Sequence, residues 1–410
     1  MGTLDRFVGC VLGMAIGDAI GAQTLDAPDP ARVPLVTPLQ WTDQTQQLVF
    51  TARGLTQTLH WAYDRRVVGR SVAAELIRWY HDPTTATRRP GRTSLAAAVR
   101  LLQGTDWEHS GNPESDGADP LPRAVAVGLA FPPDEVVDPA RTVTTITHAH
   151  PTAVQGAVLL AHLVSALARG NALDPHLVAQ AAVFAEEAEP RGTAVRSLRV
   201  ALELSANQDP SSVLRVDPRM VPEGDCGQRC GSAIGLAVLL ALASDDPPHW
   251  RNLETAVAAA ARIPHGSEVV AALTGALLGV AWGAGALPAH LVESVEERDE
   301  LIGLARGLHL VAQGLGARAE QRGDSVEPGG WMAPTPESAS ERWARPAAHG
   351  TDLEWALIHD LDETIEREDP PEEPADEEPG GIEWITVGGE DLLEMEAIDA
   401  DLLANVRRRW

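Results

Sequence analysis

One stretch of the chain concentrates residue types that can do chemistry. In the segment Trp41–Thr45, two hydroxyls, a carboxylate and an amide directly precede the apolar run Leu48–Phe50. Oxygen-rich side chains of this kind suit a hard cation such as Mg²⁺. An ordinary helix N-cap has a similar composition, and the motif taken alone favours the cap. The residue types therefore leave both interpretations open.

Two further groups could bind a metal. His148 and His150 are two residues apart, a spacing that does not bring both side chains onto one helical face, so a polar loop or a helix cap is favoured. Cys226 and Cys230 are separated by three residues and no second pair follows, so a zinc or redox role is disfavoured.

Helices must position these residues, and the first is predicted over residues 5–22. It carries Gly9, Gly13, Gly17 and Gly21, four apart, which leaves one face bare for close approach of another backbone. Apolar residues at helical spacing predict further helices over residues 44–64, 71–81, 94–102, 153–167, 177–187, 194–205, 232–243, 253–262, 269–281 and 301–315.

Composition narrows the class of protein. The chain has 410 residues, a hydrophobic content of 44% dominated by Ala, Leu and Val, and a net charge of −27. These values favour a helical globular protein and argue against nucleic-acid binding, because phosphate neutralisation needs a basic surface. Three cysteines cannot build a disulfide framework, and Met1 leads directly into the Gly-rich helix without a basic segment. We therefore predict a cytoplasmic protein with no membrane partner.

Composition changes near residue 316. We predict a helical domain over residues 1–315, a linker rich in Gly, Pro and Ser over 316–350, and an acidic, partly disordered C-terminal extension over 351–410. The extension has two short amphipathic helices, which are too short to form their own core. They must either fold back, dock on a protein partner, or form part of a solvated acidic segment.

Four segments, in order, resemble the ADP-ribosylglycohydrolase family. They are the Gly-Asp-Ala-Ile-Gly-Ala helix at 17–22, the Trp-Thr-Asp-x-Thr motif at 41–45, the Thr-His-x-x-Pro segment at 147–151 and the apolar helix at 270–283. The resemblance implies a compact multi-helix, all-α bundle with a two-Mg²⁺ centre in a cleft. It also implies cleavage of the glycosidic bond that joins ADP-ribose to a side chain.

The chain departs from the family pattern at the metal ligands. The family usually has a second Asp where this chain has Gln44. A gapless count places Gly266, Glu268 and Val269 where the family has two carboxylates and a Thr. Because carboxylate charge holds Mg²⁺, these changes predict one weak ion or none.

The resemblance also implies roles for individual residues. The usual position of a catalytic or metal-linked Glu is occupied by Leu25, with Asp26 beside it, and His148 is expected beside the ligand. The candidates are Asp18, Asp26 and His148 for catalysis; Asp116, Gly117, Arg123, His148 and His150 for ligand binding; and Thr42, Asp43 and Glu268 for the metal.

Three functions remain open at this point. The first is an active hydrolase that removes ADP-ribose with a reduced Mg²⁺ site. The second, favoured because several ligand losses coincide, is a relative with lost or strongly reduced hydrolysis that binds an ADP-ribose-type ligand or acts as a regulatory module. The third is an interaction protein that works through its acidic extension.

Overall fold

The computed structural model describes residues 3–25, 35–58, 63–207, 227–244, 253–263 and 266–322. In this part of the chain the predicted all-α fold is confirmed, because β-structure is limited to three isolated bridges between loops. The fourteen α-helices of these ranges are α1 (Thr3–Thr24), α2 (Asp43–Thr58), α3 (Arg65–His81), α4 (Arg92–Leu102), α5 (Leu121–Ala130), α6 (Val137–Thr145), α7 (Pro151–Ala168), α8 (Pro175–Ala188), α9 (Ala194–Asn207), α10 (Cys230–Ser244), α11 (Leu253–Ala260), α12 (Ser267–Trp282), α13 (Ala289–Ser294) and α14 (Arg298–Arg322).

Helices α1 and α12 are in direct backbone contact along most of their length. A Cβ atom placed on Gly13 would lie 2.2 Å from the carbonyl oxygen of Gly275, and one on Gly17 would lie 2.0 Å from that of Ala271. Glycine is the residue that such an approach allows. The bare face predicted for the first helix is therefore confirmed, and it brings the starts of α2 and α12 to the same end of the bundle.

Helices α5 and α7 form the centre of the core. All ten residues of α5 are buried, and so are sixteen of α7, from Thr152 to Ala168 with His162 excepted. An 18-residue apolar stretch of α1 is 78% buried and one of α7 is 89% buried, although both helices are long and apolar enough to span a membrane by length and composition. Burial inside the protein accounts for their apolar character, and localisation stays a prediction.

Several helix boundaries differ from those predicted. Helix α3 begins at Arg65 rather than residue 71, because Asp64 Oδ1 accepts hydrogen bonds from the N–H groups of Arg66 and Val67 at 2.8 and 3.1 Å. Helices α5, α6 and α13 are additional to those predicted, and α14 continues to Arg322, into the predicted linker. A capping side chain overrides weak periodicity, and a short helix offers too few turns for periodicity to be read.

Some predictions fall outside the described residues. They concern Asp26, Cys226, the strand predicted at 382–387, and the extension over residues 351–410. The division into domain, linker and extension therefore stays a prediction.

Candidate functional site

Asp18 ties α1 to the start of α2. Its buried carboxylate accepts four hydrogen bonds: from the backbone N–H groups of Thr42 (2.9 Å) and Thr45 (3.0 Å) and from their hydroxyls (2.6 Å each). Burial raises the pKa of Asp18, although these four bonds oppose the rise. Because all four hydrogen bonds go to Thr42 and Thr45, Asp18 anchors the motif at residues 41–45 to α1. The catalytic role predicted for it stays a prediction.

The neighbouring Trp41 fixes the motif from the other side. Its indole lies 3.7 Å from the guanidinium of Arg88, and its Nε1 donates to the carbonyl oxygen of Glu296 at 3.1 Å. Helix α2 begins at Asp43, and Thr42 Oγ1 accepts from the N–H of Gln44 at 3.3 Å. The segment thus begins a helix, as the N-cap interpretation expects, and it also presents a carboxylate to the site.

Asp43 is the centre of a group of four carboxylates, which we call the acidic cluster: Asp18, Asp43, Asp119 and Glu268. Asp43 Oδ2 accepts from the N–H of Gly91 at 3.1 Å. Burial raises the pKa of Asp43 well above its usual value, and the charges of Asp119, Asp18 and Glu268 raise it further. The carboxylates of the cluster therefore lie close enough to act on one another electrostatically.

Glu268 reaches the cluster from the first turn of α12. Its Cα lies 2.6 Å from where a Cβ of Gly21 would be, so the glycine contact between the two helices sets its position. Burial raises the pKa of Glu268 to about 7, and the charges of Asp18 and Asp119 act in the same direction. Its Oε2 is buried without a hydrogen-bond partner, and so is Gln44 Oε1.

The predicted metal ligands can be tested against this geometry. Within the described ranges, no group of three or more His, Cys, Asp or Glu side chains is arranged to hold a metal ion. Mg²⁺, however, is usually held by one or two carboxylates and keeps several waters. The orphaned oxygens of Gln44 and Glu268 are acceptors without a donor, which a cation or its water shell would satisfy. The donor set fits one hydrated dication better than two.

A loop over residues 110–119 forms the adjoining part of the site. The N–H of Asn112 donates to Thr147 O and its carbonyl accepts from the N–H of Ala149, both at 2.8 Å. Further along the loop, the N–H of Cys230 donates to Asp116 O at 2.9 Å, and Arg229 pairs with the Asp116 carboxylate at 3.1 Å. The loop is therefore clamped between the start of α7 and the start of α10, with Gly117 between them.

His148 is held by a chain of hydrogen bonds that we call the His148 relay: Arg123, Thr147 and His148. The guanidinium of Arg123 donates to Thr147 Oγ1, and that hydroxyl lies 2.8 Å from His148 Nδ1. While it accepts from Arg123, the Thr147 hydroxyl can donate its own proton to Nδ1, and we assign this direction, which places the ring proton on Nε2.

The relay sets the charge of His148 as well as its tautomer. Burial lowers the pKa of His148 well below its usual value, and the positive charges of Arg123 and Arg100 lower it further. A Cβ on Gly117 would lie 3.4 Å from His148 Nε2, so the N–H is next to a position without a side chain. The relay therefore presents a neutral N–H donor beside the 110–119 loop.

The structure separates the other predicted ligand-binding residues by role. Arg123 is completely buried, and its Nη1 donates to the carbonyl oxygen of Val143 at 3.1 Å. Through its bond to Thr147 it helps to position His148. His150 Nδ1 accepts from the N–H of Thr152 at 3.2 Å and caps α7. The cap interpretation of His150 is confirmed. Gly117 and His148 are brought together, and the ligand-binding role predicted for His150 stays a prediction.

Asp119 is the site residue that sequence reasoning missed. Its carboxylate lies against Gly91, where an added Cβ would be 1.8 Å from Oδ2, and Ser94 Oγ donates to the same oxygen at 3.3 Å. Asp119 also acts electrostatically on Asp43, Glu268 and Arg123. In the sequence, Asp119 could have been noticed as a carboxylate two residues after Gly117 and just before the apolar run that forms α5.

Comparisons with known proteins agree with this architecture. The model of the ADP-ribosylglycohydrolase family matches residues 1–318. A solved structure described as an ADP-ribosylglycohydrolase-related protein complex superposes with a TM-score of 0.55 at 22% identity, covering 76% of this chain and 99% of its own. That likeness shows the fold. An uncharacterized protein of Archaeoglobus fulgidus is 29% identical over 173 residues, which is 38% of this chain and 54% of the relative. The chain thus spans about half the length of this relative.

Proposed function

Since the chain belongs to the ADP-ribosylglycohydrolase family, we propose that it binds ADP-ribose or an ADP-ribosylated group and hydrolyses it weakly or not at all. The protein then acts as a reader of the ligand or as a regulatory module. The observation that carries this proposal is the His148 relay: a buried, neutral N–H donor is held in one tautomer beside Gly117. Such a donor suits the hydroxyl and phosphate oxygens of a ribosyl ligand.

Weak hydrolysis is proposed from the acidic cluster. A bound Mg²⁺ would polarise the ribose and lower the pKa of a water. Asp43 would hold it, with Thr42 and Glu268 next to the ion, but Gln44 and Gly266 supply no negative charge. His148 is an unsuitable general acid because its pKa is depressed. The Asp18 oxygens are already taken by Thr42 and Thr45.

One observation favours the alternative, an active hydrolase. Burial gives Glu268 a pKa of about 7, and a carboxyl group in that range can both accept and release a proton near neutral pH. With Glu268 moving the proton and a single ion in the cluster, slow removal of ADP-ribose would be retained.

Calorimetric titration of ADP-ribose into the full-length protein tests the binding proposal. We expect wild type to bind, His148→Ala to lose at least about tenfold in affinity because it removes the held donor, and His109→Ala to bind as wild type. His109 is an exposed histidine at the start of the same loop region. Equal affinities for His148→Ala and wild type, or no binding by wild type, would contradict the proposal.

Three further predictions remain proposals. They are a protein partner for residues 351–410, cytoplasmic localisation, and the absence of nucleic-acid and membrane partners. The net charge of −27 supports the nucleic-acid part, because phosphate groups would be repelled. Truncation after residue 322 tests the extension: loss of partner capture with unchanged ADP-ribose binding would assign the partner to it.

A further inference from the structure

The acidic cluster contains one carboxylate, Asp119, to which the family resemblance assigns no role. Asp43 lies in the Trp-Thr-Asp-x-Thr motif and Glu268 lies two residues before the helix at 270–283, whereas Asp119 comes from the loop before α5. Its charge is the largest of the neighbouring charges acting on Asp43, and it also acts on Glu268. The cluster therefore regains from one loop a negative charge that it lacks at Gln44.

Asp43 and Asp119 both contact Gly91. The N–H of Gly91 donates to Asp43 Oδ2 at 3.1 Å, and the Asp119 carboxylate occupies the space where a Cβ of the same residue would be. Both carboxylates thus lie against Gly91, and only glycine leaves room for the Asp119 carboxylate there.

Gln44 provides an independent observation. It is 5% exposed, its Nε2 donates to Asp43 Oδ1 at 3.3 Å, and its Oε1 is buried without a partner. This orientation of the Gln44 amide leaves its carbonyl oxygen next to the Asp43 carboxylate without a hydrogen-bond donor. An unpartnered buried acceptor destabilises the fold unless a cation or water satisfies it.

We propose that Asp119 replaces the negative charge lost at Gln44, so that Asp43 and Asp119 hold one divalent cation with Gln44 Oε1 facing the ion or its water shell. This inference deepens the proposed function, on which it rests, because the ion lies beside the ligand-binding loop. It assigns the site to one hydrated dication, and it makes Asp119 a determinant of metal affinity in this chain.

Titration of Mn²⁺ into the metal-free, full-length protein, followed by electron paramagnetic resonance, tests the inference without ligand or turnover. We expect one tight site per chain in wild type and a loss of about tenfold or more in Asp119→Asn. Asparagine keeps the size of the side chain and an oxygen that can accept from Ser94, and it removes the negative charge. Glu114→Gln removes an exposed charge from the same loop and should leave the tight site unchanged.

A charge-restoring variant separates compensation from damage to the fold. Gln44→Asp should recover most of the affinity lost in Asp119→Asn, because it returns a carboxylate to the other side of Asp43. If Asp119→Asn fails to fold, Gly91→Ala serves instead, since its Cβ would displace the Asp119 carboxylate, and it should weaken Mn²⁺ binding in the same way.

Three results would overturn the inference: no tight Mn²⁺ site in wild type, unchanged affinity in Asp119→Asn, or no recovery with Gln44→Asp. Its failure differs from failure of the proposed function. Normal Mn²⁺ binding without ADP-ribose binding contradicts the function alone, whereas ADP-ribose binding in EDTA without a Mn²⁺ site contradicts the inference alone.

Discussion

The acidic cluster and the His148 relay adjoin each other, but they differ in how their buried charges and polar atoms are satisfied. In the relay, a buried cation, a hydroxyl and a neutral imidazole form one hydrogen-bonded chain. In the cluster, like charges raise each other's pKa and two acceptor oxygens have no partner. The relay positions its donor through hydrogen bonds between its own residues, although Arg123 Nε has no partner, whereas the cluster needs a cation or protons. We infer that ligand recognition has been kept more fully than metal chemistry.

The largest effect should come from breaking the helix contact that supports the cluster. Gly17→Val would put a side chain where even a Cβ lies 2.0 Å from Ala271 O, so α1 and α12 must separate. We expect a loss of about 3 kcal/mol or more in the free energy of unfolding, measured by urea denaturation. Gly314→Ala is the control: with nothing within 4 Å, it should gain about 0.5–1 kcal/mol. Equal effects of the two substitutions would refute the contact.

Removing Asp18 should be the next most damaging change. Asp18→Ala takes the acceptor from two buried N–H groups and two hydroxyls, so we expect a loss of about 3 kcal/mol or more in stability. Divalent-cation binding should be lost with it, because residues 42–45 are no longer held. A variant that kept both its stability and its metal affinity would show that Asp18 does not anchor the motif.

The relay predicts a smaller and more selective effect. Thr147→Val keeps the shape but breaks the link between Arg123 and His148. ADP-ribose affinity should fall about tenfold in calorimetry, with a stability loss of about 1–2 kcal/mol. Thr145→Val, which loses only a local hydroxyl bond to Thr142 O, is the matched control. If both variants bind equally well, the relay does not set the donor.

The smallest effect concerns pH. The pKa of Glu268 is raised from 4.5 to about 7, so the folded state retains a proton that the unfolded chain releases. In EDTA, the free energy of unfolding should therefore fall as pH rises from 4.5 through about 7. Glu268→Gln should flatten this fall, as followed by urea denaturation at several pH values. A wild-type stability that rises across this range would have the opposite sign and contradict the assignment.

Much of the scaffold could be predicted from local patterns. The glycine face of α1 and the apolar helices could be predicted from residue spacing, because each pattern lies within one helix. The motif around Asp43 was likewise indicated by one short segment. These features are encoded within a few turns of chain.

Asp119, the anchoring role of Asp18 and the buried position of Arg123 could not be predicted in this way. Each depends on contacts between residues far apart in sequence: Asp119 with Gly91, Asp18 with Thr42 and Thr45, and Arg123 with Thr147. A carboxylate near a glycine is common in loops, and only the packed fold shows which carboxylates meet. The burial that shifts their pKa values likewise arises only in the packed fold.

The most direct test of the contrast between cluster and relay is titration of ADP-ribose into one preparation of wild-type protein, once in EDTA and once in excess Mg²⁺. Release of ADP-ribose from a modified protein substrate is followed in parallel. Our account predicts binding in EDTA, tighter binding in Mg²⁺, and slow or absent release in both. Rapid Mg²⁺-dependent release would contradict it, because the cluster would then support full metal chemistry.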